Sequence, residues 1–343
     1  MRLQAEVVVV RGEIAESRHR VCCVATDAAG TVRATSTEGE LVTSFRSAAK
    51  PFQLLPFVER GHADALCCSE PELAIMAASH SGSREHVALV RGLLERMGLE
   101  PRHLACGYHD PQDAESLADV RRDPSRCDPV YNNCSGKHAG MLAFCLAEGW
   151  PVNGYERPGH PLQQLLLRTV AECCGMPPGS VLTGIDGCSV PVFGLPLAHM
   201  ARGYARIAEA ITRGGGEARG RALERIGRAM MAHPLVVEGA GRIATDLMRS
   251  APGRIVAKTG AEGLLLVADA TRAEGIAIKA EDGAMRAMGP AAVELLETLG
   301  VLGPAEIGML GVHRRTPVTN AAGHAVGWLE AHVSVGLSAD AGT

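Results

Sequence analysis

Four lysines, Lys50, Lys137, Lys258 and Lys279, stand against thirty arginines in this chain of 343 residues. Guanidinium keeps its proton, whereas a desolvated lysine amine can lose its proton and act as a base. Where arginine serves nearly every charge role, a retained lysine marks a position that wants what arginine lacks. Lys50 lies in FRSAAKP, three residues after Ser47. In a helix beginning at Ser47 the two side chains share one face, and Pro51 falls in the first turn, where its missing N–H is tolerated. A serine hydroxyl becomes a useful nucleophile when such a base takes its proton. The bland alternative is a solvent-facing lysine on an ordinary helix. Sixteen serines and four lysines yield about 0.2 chance S-x-x-K matches, so this spacing is weak by itself.

Lys258 strengthens it. The segment VAKTGAEG closes a predicted strand, and K-T-G after a strand is the partner of S-x-x-K in penicillin-binding proteins and class A β-lactamases. Between the two motifs, ASHSGSREH holds Ser79 and Ser81 at the junction of two predicted helices. Ser83 with Glu85 and His86 is ordinary helix-start chemistry, so a capping role and a catalytic role for Ser79 are equally supported. Lys137 belongs to NNCSGKHAGML, where Asn133 is a plausible cap, Cys134 enters the first turn, and Lys137 and His138 follow. A thiol at a helix N-terminus beside a lysine has a lowered pKa. Cys188 sits in GIDGCSVP, beside Asp186. Spacing alone favours two buried, unbridged cysteines there, because C-x-x-K is not a usual zinc pattern. Lys279, in GIAIKAEDG, alternates outward on a strand and reads as surface charge.

The elements that must position these residues are legible as periodicities. Valine- and threonine-rich stretches at 6–11, 20–26 and 31–36 read as strands. Helical spacing follows at 51–61, 71–80, 83–98, 136–149, 160–175, 195–211 and 217–233. Strands return at 254–260, 264–270 and 275–281, then a helix at 291–300 and a strand within 324–335. The expected fold is one α/β catalytic domain over 1–343, with a sheet lobe from roughly 1–45 and 250–340 and a helical lobe over roughly 46–250. A net charge of −4 and only 11 aromatic residues argue against nucleic acid and anionic membranes as partners. The odd number of cysteines, six of them in vicinal pairs, reads as reduced thiols. No apolar run reaches 18 residues and no signal segment is apparent, so a cytoplasmic protein is expected.

RSAAKP (46–51), ASHS (78–81), NCSGKHAGML (133–142), DGCSVP (186–191) and KTGAEG (258–263) together resemble the asparaginase II family, the rhizobial-type or class 3 L-asparaginases. The motifs run in that family's order, and EGIAIKAEDG (274–283) extends the likeness over most of the chain. The resemblance implies a fold like that of serine β-lactamases and penicillin-binding proteins, with an antiparallel sheet from both termini against a helical lobe. It implies two Ser-Lys pairs, Ser47 with Lys50 and Ser79 with Lys258. It implies one zinc ion on Cys134, Lys137 and Cys188, orienting substrate rather than activating water, with Arg46, Asp186 and His138 as substrate contacts. The implied activity is hydrolysis of L-asparagine to L-aspartate and ammonia, and a homodimer is expected. Two competing readings are a β-lactamase or D,D-peptidase, from the shared S-x-x-K and K-T-G, and a non-enzymatic zinc or thiol sensor built on Cys134 and Cys188.

Overall fold

The computed structural model describes residues 1–37 and 39–336. The chain opens with β1 (Arg2–Arg11), β2 (Ile14–Asp27) and β3 (Val32–Thr35). Three short strands, β4 (Val42–Ser44), β5 (Leu182–Ile185) and β6 (Pro191–Pro196), form a separate small sheet. Near the other end come β7 (Ile255–Gly260), β8 (Leu264–Asp269), β9 (Glu274–Ala280), β10 (Arg315–Thr319) and β11 (Ala325–Gly336). These five join β1–β3 in an eight-stranded sheet of order β10-β11-β1-β3-β2-β9-β8-β7, antiparallel apart from a β1–β3 bridge. The long β2 pairs with β1 along its first half and with β9 along its second, which ties the two ends of the chain together.

Helices of seven or more residues are α1 (Lys50–Glu59), α2 (Glu70–Met76), α3 (Arg84–Arg96), α4 (Ala114–Arg122) and α5 (Ser135–Ala147), followed by α6 (Pro161–Cys174), α7 (Leu197–Arg213), α8 (Ala218–Ala232), α9 (Ile243–Ser250) and α10 (Met288–Thr298). Both α7 and α10 pack against the large sheet's central strands. Covered strands have no need of polar alternation, and β8 is accordingly buried along its whole length, LLLVAD. Gly275 lets the chain of α7 approach, since a Cβ there would run into the backbone at Ala201 and Tyr204. Helix α1 is buried from Lys50 to Val58, apolar nearly all round, and packs on α5, α6 and α8. No helix among the described residues is long and apolar enough to cross a membrane.

Two expectations change. The segment expected to be a helical lobe also contains β5 and β6, which pair with β4. These strands are three to six residues long and interrupted by Gly184 and Gly194, too short for their period to emerge from the helices around them. Lys279 is buried rather than solvated, at 7% exposure. Its strand lies between β2 and β8, opposite Cys22 and Leu264, and carries helices on top, so alternation there does not lead to water. The last residues of the expected sheet lobe, 337–340, lie outside the described residues.

Candidate active site

The small sheet does much of the positioning. After β4, Phe45 N–H donates to Phe193 O of β6 (2.7 Å), and the chain turns through Arg46 into a 3-10 turn, Arg46–Ala49, that runs directly into α1. Arg46 adopts φ 45°, a left-handed conformation that costs a non-glycine residue on the order of 1–3 kcal/mol and clusters at functional sites. The β5–β6 hairpin carries Asp186 and Cys188 at its tip, where Ser189 is also left-handed (φ 75°). One sheet thus brings Arg46 to Asp186, and their side chains pair at 3.1 Å.

The 3-10 turn packs on β7, which sets Ser47 and Lys50 beside Lys258 and Thr259. Ser79 leaves the end of α2 in a loop stitched on two sides. Its N–H donates to Val237 O (2.9 Å), and His80 N–H donates to Asn133 O (3.2 Å). Helices α2 and α5 touch because Gly136 has no Cβ, and any Cβ there would collide with Ile75 O. Cys134 is the residue preceding α5, and the side-chain bond to its N–H comes from Asn132 Oδ1 (2.9 Å) rather than from Asn133.

A cleft with two lobes results. One lobe, of 420 Å³, is lined by Ser47, Ser79, Glu238 and Thr259 among others. The other, of 320 Å³, is lined by Arg46, Asp186, Cys134 and Cys188, and both lobes include Ser47, Gln112, Asn133 and Ala261. Ser47 therefore stands where the lobes meet, and Ser79 lines only the larger.

Lys50 is 1% exposed. Its Nζ donates to Ala78 O (2.5 Å), Ser79 Oγ (2.9 Å) and Asn133 O (3.4 Å), all neutral acceptors. Desolvation is the main cause that pushes its pKa down to about 8, with Lys137 and Lys258 adding repulsion and Cys134 opposing them. Lys258, fully buried, is bound differently: Nζ donates to Glu238 Oε1 at 2.5 Å. The same oxygen accepts from Thr259 N–H (2.8 Å) and Thr259 Oγ (2.5 Å). The structure therefore couples Lys50 to Ser79 and Lys258 to Glu238, a different pairing from Ser47–Lys50 and Ser79–Lys258.

A family model described as L-asparaginase II matches residues 7–331. The chain belongs to the L-asparaginase II family. It is an amidohydrolase that acts on asparagine, and no curated protein matches it. In this L-asparaginase II chain, Arg46, Ser47, Ser79, Cys134, Asp186 and Cys188 of the ten residues expected at the site line the two lobes, Lys50, Lys137 and Lys258 hydrogen-bond lining residues from beneath, and His138 lines neither lobe. Lys137 Nζ donates to Cys188 Sγ at 2.9 Å. Interaction with Cys188 is the main cause lowering the Cys134 pKa well below the thiol range, and the same interaction raises that of Cys188. Lys137 is raised to about 12, because attraction to Cys134 and Cys188 outweighs desolvation.

Zinc, as the family resemblance implies it, would need three convergent donors with a coordination position left facing the cleft. Among the described residues no group of three or more His, Cys, Asp and Glu converges. Two sulfurs and the Lys137 amine do converge, buried, with both sulfurs on the smaller lobe, and a soft S₂N set with an open position fits zinc. His138 lies behind the cleft: its Nδ1 meets Tyr155 Oη at 2.6 Å, and Nε2 is buried without a hydrogen-bond partner among the described residues. Glu238 is the site residue that sequence reasoning missed. It sits 20 positions before Lys258, in VVEGAGR, where only the flanking Gly239 and Gly241 hint at a special backbone.

Proposed function

We propose that this L-asparaginase-type hydrolase cleaves the side-chain amide of L-asparagine through a serine ester, with Ser47 as nucleophile and Lys50 as base. The supporting observation is the buried Lys50 amine, pushed down to about 8 and in contact with Ser79 Oγ, inside a cleft that Ser47 also lines. Substrate held by its α-carboxylate and α-ammonium on Arg46 and Asp186 carries its side-chain amide toward the junction of the lobes, where Ser47 stands. Ser79 passes the Ser47 proton to Lys50. The Oγ–carbon bond forms, the C–N bond breaks, and ammonia leaves with that proton. Water then attacks the β-aspartyl ester with the same amine as base. Lys258, bonded to Glu238, fixes Thr259 in the wall and lends positive charge to the developing oxyanion.

Cys134, Lys137 and Cys188 would hold zinc, which supplies a Lewis-acid contact that orients the amino-acid head group. Metal analysis of purified protein tests this part. About one zinc per chain is expected, falling to a small fraction in Cys134→Ser, Cys188→Ser and Lys137→Arg; undiminished zinc in those variants rejects the site.

A second reading makes Ser79 the nucleophile, favoured by its direct 2.9 Å contact with Lys50. Ammonia release from L-asparagine by wild type, Ser47→Ala and Ser79→Ala separates the two. The Ser47 reading expects turnover to collapse in Ser47→Ala, and residual activity confined to that variant transfers the role to Ser79. We also infer a single catalytic domain with a serine β-lactamase-like architecture, working as a cytoplasmic homodimer. The sheet assembled from both ends of the chain supports the architecture. The free edge of β5, with Leu182 and Ile185 more than 60% exposed, supports self-association. Light scattering at micromolar concentration should return twice the chain mass, and a monomer there removes the dimer.

A further inference from the structure

The larger lobe exceeds what asparagine requires. Its 420 Å³ lies in the range of about 300–1,000 Å³ typical of pockets for drug-sized ligands, although the head-group residues Arg46, Asp186, Cys134 and Cys188 all line the other lobe. Ammonia leaves through this space, yet the walls bear a distinct chemistry. Arg242 and Arg286 both line it. Neither guanidinium lies within 4 Å of a carboxylate among the described residues, whereas most arginines that reach this molecule's surface are paired with one.

Both are nevertheless held in place by neutral partners. Arg242 Nη2 donates to Gln112 Oε1 (2.5 Å), and Gln112 reaches both lobes. Arg286 Nε donates to His19 Nε2 (3.0 Å) and Nη2 to Ser17 Oγ (2.9 Å). Since His19 Nε2 accepts, its Nδ1 carries the proton and donates to Asp282 Oδ2 at 2.6 Å. Asp282, His19 and Ser17 thus orient one guanidinium, and Gln112 the other, with unspent N–H donors at the wall of the lobe. Met285, Met288 and Ile243 supply apolar wall between them. Two oriented, carboxylate-free guanidiniums beside an apolar wall are suited to an anionic group on an organic chain.

We infer that this lobe receives an organic leaving group bearing a carboxylate, and that the enzyme cleaves N4-substituted asparagines of the β-aspartyl dipeptide class. The α-carboxylate of the departing amino acid meets Arg286 and Arg242. The chemistry rests on the serine-ester reading of the same cleft. Ser47 Oγ bonds to the β-carbonyl carbon, the C–N bond to the second amino acid breaks, and the amine takes the serine proton relayed through Lys50. Water then releases aspartate, so one dipeptide and one water yield two amino acids.

The experiment compares L-asparagine, N4-methyl-L-asparagine and β-L-aspartylglycine as substrates for wild type, Arg286→Gln and Arg242→Gln. Wild type is expected to release glycine from β-L-aspartylglycine. Each substitution should lower the kcat/KM ratio of β-L-aspartylglycine to L-asparagine by about tenfold, as loss of a charged hydrogen bond does, without lowering the N4-methyl-asparagine ratio. Hydrolysis of asparagine with no glycine release overturns the inference and leaves the serine-ester reading standing. Glycine release that both variants leave unchanged overturns the role of the guanidiniums. No turnover of any substrate sinks both readings together.

Discussion

Taking an ammonium ion out of water costs several kcal/mol unless a partner anion offsets it, and the buried lysines of this cleft meet that cost in two ways. Lys258 sits on Glu238, whereas the hydrogen bonds of Lys50 go to carbonyl and hydroxyl oxygens, and desolvation outweighs the attraction of Cys134, so Lys50 gives up affinity for its proton instead. Because its pKa is lowered to about 8, the free base becomes the major form as pH rises through that value. Accordingly, kcat/KM for asparagine should climb between about pH 7 and 9 and then level off. Lys50→Arg should abolish the rise and cost on the order of 10²–10⁴ in kcat, since guanidinium cannot act as the base. A profile falling toward alkaline pH would contradict the assignment. Lys279 makes the contrasting case. Its amine, lowered by desolvation and donating to Ala280 O, is enclosed in the sheet. Lys279→Arg should destabilise the fold by about 1–3 kcal/mol through overpacking, measured as a shift in the urea midpoint, with the ester chemistry intact.

At the scale of elements, the cleft depends on how closely backbones approach. Gly136 lets α5 lie against the end of α2, and this sets the distance from Cys134 and Lys137 to Ser79. Gly136→Ala should cost about 1–3 kcal/mol and reduce activity together with stability, whereas Gly140→Ala, where Met76 alone must shift, should cost less. Denaturant unfolding and turnover of the two variants check this, and equal effects would reject it. Most of these elements were legible. Strands β3, β7, β8, β9 and β11 and seven of the helices fall within a few residues of their expected bounds, because long apolar periods announce themselves, whereas β2 begins six residues before its expected start and β10 was not expected. The small β4–β6–β5 sheet was not legible, being short and glycine-broken, although it aligns Arg46 with Asp186 and Cys188. Neither was Glu238, since a lone glutamate far from Lys258 in sequence carries no spacing signal. The lysines themselves were found by type and motif, but which serine each one touches is set by the loop around Ala78 and Asn133, and no motif encodes that contact.

The described residues close around one contiguous apolar core, with the cleft at the seam where β7 meets the helices. Near that seam His80 and His86 stack at 5.1 Å, and His80 is fully buried. Desolvation is the main cause lowering both pKa values, well below 6.5 in the case of His80. In the unfolded chain these imidazoles regain ordinary values near 6.5, so below that pH the unfolded state binds protons that the fold refuses. Stability should therefore be full above about pH 7 and fall progressively as pH drops toward about 5, before carboxylates titrate. His80→Gln should flatten part of that fall in the urea midpoint, and a slope unchanged by the substitution would reject the contribution.

The most direct test of the Ser47–Lys50 account is to mix enzyme with L-asparagine, quench in acid within a turnover, and locate any covalent adduct by peptide mass mapping. The account predicts a β-aspartyl ester on Ser47, accumulating further in a variant slowed in the second step. An ester on Ser79, or turnover with no covalent species at any time, would contradict it.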